Sequence, residues 1–380
     1  MLELTAFNPP ASWARTQETG RAPLRAALVQ HRWQAVPDAV RTELREGISR
    51  AATLGATAVF LPELTLSRYP ADTLPEGAPN ATAEDLLTGP TFAFAAQAAR
   101  DFGITVHASL FQRADAGDGL GLNTAILVSP DGELLARTHK LHIPRTDGYF
   151  EDKYFRPGPN AADAYQVHAP GELHGARLGM PTCWDEWFPE VARMYSLGGA
   201  ELLVYPTAIG SEPSFPDFDT QSLWQQVIVG NGIANGLFMV VPNRWGNEGN
   251  VDFYGSSFIS DPYGRILVQA PRDESAVLVA DLDLAQRADW LELFPFLATR
   301  RPETYGRLTA PVDAAHPYGD PQWQPPDRHA DGLGHAGRNR SAVPDLDGLP
   351  ARRLCPRRHR GGGPRRPQLL GRRGQRRRRI

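Results

Sequence analysis

Apolar positions along this chain follow two rhythms. Short continuous apolar runs read as buried strands; longer stretches with apolar residues every three or four positions read as amphipathic helices. Residues 24–30 form the first such run. Asp38 stands where a helix cap belongs, and Val40, Leu44, Ile48, Ala51 and Ala52 trace one helical face to about residue 54, where Gly55 stops it. Residues 56–61 make a second apolar strand, which ends at Glu63. A Pro/Gly/Asn loop spans 70–82. The helical stretch 83–102 is broken near Gly89-Pro90 and closed by Gly103, and 104–111 returns to strand. Segments 122–128 and 133–138 flank Ser129-Pro130-Asp131-Gly132 and predict a hairpin. Further strands are predicted at 176–182, 201–205, 238–242 and 277–281, with helices at 187–197 and 219–235. A second hairpin pairs 255–259 with 265–269. Strands alternating with helices imply an α/β body.

Beyond residue 308 this patterning stops. Residues 311–380 are rich in Pro, Gly, Arg and His and poor in aliphatics, so they cannot bury enough surface to offset chain entropy and are expected to be disordered. Residues 1–22, with Pro9, Pro10 and Gly20, read as an irregular arm, which leaves 23–310 as the folded domain. Charge divides along the same line. The net charge of −3 conceals 13 arginines and no acids in residues 351–380, leaving 27 basic groups against 43 acids, near −16, in the rest. A body this acidic disfavours nucleic acid and attracts small cations. The basic tail has two readings, an RNA- or acid-binding segment or an unselected read-through of a neighbouring frame. No apolar run is long enough for a membrane span, and no secretory signal stands at the N-terminus. Two cysteines fit a reducing cytoplasm.

Cys183 sits between an extended run and a helix-like one. There, helix N–H groups are expected to lower its pKa and stabilise an oxyanion. A lone cysteine taken by itself is more often a buried small hydrophobe. Two features change that balance. Of 40 basic residues only Lys140 and Lys153 are lysines, and lysine is the cation whose pKa responds to burial. Glu63 directly follows an apolar strand, where α/β sites gather, although a cap or solvated loop acid fits that position as well.

Leu61-Pro62-Glu63-Leu64, His139-Lys140-Leu141-His142-Ile143-Pro144 and Cys183-Trp184-Asp185 resemble, in order and spacing, the three signatures of the nitrilase superfamily of carbon–nitrogen hydrolases. The resemblance runs from about residue 24 to 309. It implies an αββα four-layer sandwich, a homo-oligomer, and catalysis without metal or cofactor. It assigns Cys183 as nucleophile, Glu63 as general base, Lys140 as oxyanion stabiliser with the Trp184 N–H, and Glu151 as a second glutamate that orients the lysine.

Residues 183–190 and 205–213 are most similar to the N-carbamoylputrescine amidohydrolase branch, which usually has Gln where this chain has Glu186. That likeness implies a small cationic ureido or amide substrate. Members acting on N-carbamoyl amino acids carry arginines after the cysteine motif; here Glu186 and Trp187 stand there. Glu186 and Glu212 are therefore candidate ammonium partners, with Glu186 alternatively capping the helix that starts near Trp187. Trp184, Tyr149 and Tyr69 are candidate walls of an alkyl slot, and core packing fits Tyr69 equally well. The alternatives are a β-ureidopropionase, an aliphatic amidase or a nitrilase, and, from another class, an inactive hydrolase scaffold with a nucleic-acid-binding tail.

Overall fold

Nearly every predicted element is present in the computed structural model, which describes residues 1–159 and 164–322. In chain order these are β1 (Leu2–Ala6), β2 (Leu24–Gln30), α1 (Pro37–Thr53), β3 (Ala58–Phe60), α2 (Pro90–Phe102), β4 (Thr105–Gln112), β5 (Leu122–Val128), β6 (Leu134–His139) and β7 (Leu178–Gly179). Then come α3 (Pro189–Leu197), β8 (Leu202–Val204), α4 (Gln221–Asn235), β9 (Phe238–Val241), β10 (Trp245–Asn247), β11 (Asp252–Tyr254), β12 (Phe258–Ser260), β13 (Ile266–Gln269), β14 (Ala276–Leu282) and α5 (Gln286–Leu293).

Helix starts depart from the expected caps. Asp38 lies inside the first turn of α1, where its charge faces the helix's positive end, while Val36 occupies the cap and Pro37 follows it. Gly89-Pro90 does not break a helix but begins one. Proline lacks an N–H and presets φ, so it suits a first helical turn, and it disfavours helix in the residue before it. The N-terminal arm is irregular only after residue 6, since β1 pairs in parallel with β14.

The strands form two sheets, ordered β1-β14-β2-β3-β4-β5-β6 and β13-β12-β9-β8-β7. Alternate residues of each strand face opposite ways. In the first sheet Leu28, Phe60 and Leu127 point toward Leu178, Val204, Val240 and Ile259 of the second, making the central core. Their neighbours Val29, Val59 and Leu61 point outward onto α1 and α2. Leu203, Tyr205 and Met239 of the second sheet meet α3 and α4. The result is a four-layer αββα sandwich, as the resemblance implies. Burying a side chain such as Phe60 contributes about 1.5–3 kcal/mol, so this rigid pair of sheets tolerates polar groups at strand ends.

The chain divides at Pro302: residues 1–302 form one compact unit, and the described part of the second consists of exposed turns, including Gly306–Thr309. The predicted disordered tail lies almost wholly outside the described residues, as does Cys355. Among the described residues no helix is long and apolar enough to cross a membrane.

Candidate active site

Three strand ends deliver the predicted residues to one point. Glu63 follows β3, Lys140 follows β6, and Cys183 lies just past β7. Lys140 Nζ donates to Glu63 Oε1 at 2.9 Å and to Glu151 Oε2 at 2.7 Å, all three side chains being fully buried. Glu63 Oε1 also accepts from Asn123 Nδ2 at 2.7 Å, whereas Glu63 Oε2 has no hydrogen-bond partner among the described residues. Glu151 Oε1 accepts from the Tyr69 hydroxyl at 2.9 Å. Lys153, the other lysine, is half-exposed on Asp152 and takes no part.

Burial dominates the electrostatics. It works against charge on Lys140, but the adjacent Glu151 and Glu63 carboxylates more than offset it and hold the ammonium well above the usual lysine range. Burial also pushes the Glu151 carboxyl up, against the pull of Lys140. Two carboxyls thus share one cation. Cys183 differs from expectation. Burial, reinforced by Glu63, pushes its thiol well above the ordinary range, so the resting group is neutral. The expected lowering fails because a five-residue 3₁₀ turn, Cys183–Trp187, follows the thiol, and the α-helix begins only at Pro189. So short a turn offers little dipole.

Cys183 itself is in the left-handed region, with φ of 43°, a conformation that costs a non-glycine residue about 1–2 kcal/mol. Asp185 holds that turn. Its carboxylate accepts from the Thr182 N–H at 3.0 Å, the His142 N–H at 2.9 Å and His142 Nδ1 at 2.7 Å. With a carboxylate as acceptor, Nδ1 must carry the proton. Asp185 therefore ties the loop after Lys140 to the cysteine turn, and His142 stacks on Phe188 at 3.9 Å.

A cavity of about 310 Å³ opens beside the thiol. Trp184, Trp187, Tyr149, Ile209, Phe218 and Leu223 give it apolar walls; Glu151 and Glu212 bring carboxyls, and among the described residues no Lys, Arg or His lines it. Tyr149 is fixed by donating from its hydroxyl to the Ser211 carbonyl at 2.8 Å. Glu212 is half-buried, and burial raises its carboxyl above the usual range. Gly210 lets this loop press against β11, since a Cβ there would overlap the Asp252 carbonyl.

Two predicted cavity residues lie elsewhere. Tyr69 does not wall the slot: it is fully buried behind Glu151, which takes its hydroxyl. Glu186 neither lines the cavity nor caps a helix. It points inward, fully buried beside the Trp224 indole, and burial followed by the nearby Glu63 pushes it well above the usual range, against the pull of the Trp224 N–H. A raised carboxyl contributes stability below its unfolded value and loses it as pH rises toward the folded one. Glu186→Gln is therefore expected to raise Tm at pH 7 by a few degrees and to give no gain near pH 4, as thermal melts at the two pH values would show. A gain of equal size at both would remove ionisation as its cause.

Sequence reasoning missed several supports. Asn123 was legible as a polar side chain within the apolar strand Leu122–Val128. Asn243 accepts from the Ile209 N–H at 3.2 Å and donates to its carbonyl at 3.0 Å, fixing a cavity wall from a distant loop with no sequence signal. Arg244 and Glu248, a buried ion pair, were likewise invisible.

A buried thiol beside a carboxylate–ammonium–carboxylate cluster brings together the kinds of group that nucleophilic hydrolysis uses. The comparisons agree. The carbon–nitrogen hydrolase family profile matches residues 25–291. The chain is 38% identical over 215 residues to a protein named citrullinase from Francisella tularensis, spanning 55% of this chain and 72% of that one. It is 36% identical over 224 residues to N-carbamoylputrescine amidase from Arabidopsis thaliana, spanning 57% and 72%. A carbon–nitrogen hydrolase structure from Helicobacter pylori aligns with a TM-score of 0.67 at 28% identity, over 76% of this chain and 99% of that one. An amidase from Nesterenkonia sp., solved with the result of Michael addition of acrylamide at its active-site cysteine, aligns at 0.58 and 25%, over 75% and 99%. The chain belongs to the carbon–nitrogen hydrolase family of the nitrilase superfamily. It is a hydrolase of non-peptide C–N bonds.

Proposed function

We propose that the chain is an amidohydrolase that cleaves N-carbamoylputrescine, or a closely similar cationic ureido compound, to the free amine, carbon dioxide and ammonia. Such a reaction serves polyamine formation, and we place it in the cytoplasm in a homo-oligomer, as the family resemblance implies. The observation that carries the substrate reading is the cavity: apolar walls suit an alkyl chain, Glu212 suits its terminal ammonium, and, among the described residues, no cation lies on the walls away from the catalytic Lys140 to hold a carboxylate. The relatives named N-carbamoylputrescine amidase support it.

In this reading Glu63 Oε2, the oxygen without a partner among the described residues, takes the Cys183 proton as sulfur attacks the carbamoyl carbon. A neutral thiol needs such a base in the attacking step. Lys140 and the Trp184 N–H stabilise the tetrahedral oxyanion, and Glu63 returns its proton to departing ammonia. Glu63 then deprotonates a water that attacks the carbamoyl thioester, releasing the thiol and a carbamate, which loses carbon dioxide to leave the amine. Glu151 and Tyr69 hold Lys140 in place throughout. Assembly of all these groups in one buried cluster weighs against the inactive-scaffold alternative. No step needs a cofactor.

A second reading rests on the relative named citrullinase. Citrulline adds a carboxylate to the ammonium end. Ammonia release from cationic, neutral, zwitterionic and anionic ureido substrates of matched length separates the readings. N-carbamoylputrescine is expected to be preferred. Glu212→Gln should lower its kcat/KM about 10- to 100-fold, the worth of a charge-assisted hydrogen bond of about 1.5–3 kcal/mol, and barely affect the neutral analogue. Preference for citrulline would establish the second reading, and preference for an anionic substrate would sink both.

A further inference from the structure

We infer that Arg244 and Glu248, which line no part of the cavity, form a positioning device that sets the spacing of Glu63 and Glu151 about Lys140. The inference rests on the reading that those two glutamates act in the reaction, and adds two residues that touch no substrate.

Both side chains are fully buried. A buried ion pair is costly unless its remaining donors and acceptors are used; here Arg244 Nη2 and Glu248 Oε2 are used on the site's supports, and only Arg244 Nε has no partner among the described residues. Arg244 Nη1 donates to both Glu248 oxygens at 2.7 Å. Arg244 Nη2 donates to three main-chain carbonyls of the loop after β3: Glu63 at 2.8 Å, Leu64 at 2.9 Å and Ser67 at 3.2 Å. Carbonyl dipoles converging on one point repel each other, and a permanent cation at that point reverses the balance. The loop is held in a conformation it would otherwise avoid, since Leu64 has φ of 49°.

Glu248 carries the constraint to the other glutamate. Its Oε2 accepts from the Tyr69 N–H at 2.9 Å, and the Tyr69 hydroxyl donates to Glu151 Oε1 at 2.9 Å. Phe253 braces both, with its ring 5.5 Å from the guanidinium and edge-on to Tyr69 at 5.7 Å. Glu248 is itself anchored, its carbonyl accepting from Arg68 Nη2 at 2.8 Å and its N–H donating to the Val251 carbonyl at 3.0 Å. One ion pair therefore grips the main chain of Glu63 on one side and reaches Glu151 through Tyr69 on the other. The Lys140 ammonium sits wherever those two carboxyls place it.

The test is steady-state kinetics on the full chain, with active sites counted by radiolabelled iodoacetamide. Glu248→Gln keeps an acceptor for the Tyr69 N–H and removes the charge that orders the guanidinium. It is expected to lower kcat per titrated site about 10- to 100-fold and to leave KM within about threefold. Tyr69→Phe should cost about tenfold in kcat. The double variant should lose less than the product of the two, because both act along one chain of contacts. A Glu248→Gln kcat at the parental level, a rise in KM alone, or fully multiplicative losses would each overturn the proposal. If Glu248→Gln does not fold, Arg244→Met with Glu248→Leu replaces it, since that pair buries no lone charge. A folded double variant with low kcat supports positioning; one with parental kcat overturns it. Whichever variant is used, Tyr69→Phe at parental kcat also overturns the link to Glu151. Glu63→Gln is the control: if it stays active the underlying reading of the site fails, whereas an inactive Glu63→Gln beside a fully active Glu248→Gln defeats the positioning proposal alone.

Discussion

Replacing Cys183 with alanine is expected to abolish ammonia release, lowering kcat by at least about 10⁴-fold, while the fold survives. Loss of one sulfur from a packed turn is a small cavity. The thiol's raised pKa also sets two pH dependences. Alkylation by iodoacetamide needs the thiolate, so labelling of the unmodified protein should be slow at neutral pH and accelerate about tenfold per unit toward alkaline pH. In stability the sign is the reverse. A raised thiol contributes stability that is full below its unfolded value and is lost as pH climbs through the folded one, so the parent should lose ground to Cys183→Ala above about pH 8.5. Mass spectrometry of the labelled protein and melts across that range would check both. Turnover above a trace in Cys183→Ala would end the covalent mechanism.

Lys140→Met should be nearly as damaging to turnover and far more damaging to the fold. It leaves Glu63 and Glu151 facing each other, fully buried, with no cation between them. Removing one partner from a buried ion cluster costs about 3–5 kcal/mol. That loss should be largest at pH 7 to 8.5 and shrink toward pH 5, because burial already raises Glu151 and a falling pH lets it take a proton. The parent keeps its Lys140 contribution throughout, since a raised ammonium loses it only as pH rises through its folded value. Lys140→Arg should not rescue activity, as a planar guanidinium does not fit a fully enclosed point-charge site. Denaturant melts at three pH values test this, and unchanged stability at pH 7 would mean the carboxyls are not charged against the lysine.

Apolar runs marked most of the strands, though not β1, which lies in the arm read as irregular, and they did not record the sheet order, in which β14 lies between β1 and β2. The glutamate, lysine and cysteine at strand ends were legible because each follows an apolar run and matches a signature. The residues that orient them were not. Tyr69 reads as any core aromatic, and Arg244 as one arginine among many; their roles arise from contacts across 82 and 181 positions of chain. Glu186 shows the opposite failure. Its place beside the cysteine suggested a substrate contact, yet the 3₁₀ turn rotates it into the core. The residue is read correctly only once the handedness of that turn at Cys183 is known.

The position of β14 also has a consequence for how the chain is made. Strands β2 to β6 can pair as soon as they leave the ribosome, but β1 has no partner until residue 282 has emerged, and β2 keeps an open edge for as long. At about 5–20 residues per second the interval is roughly 10–50 s. Throughout it, the apolar strand Leu24–Gln30 presents unpaired main-chain groups to any passing strand, including that of a sister nascent chain. The sheet is sealed by its last strand, so slow or interrupted synthesis ahead of residue 276 is expected to expose this protein to aggregation.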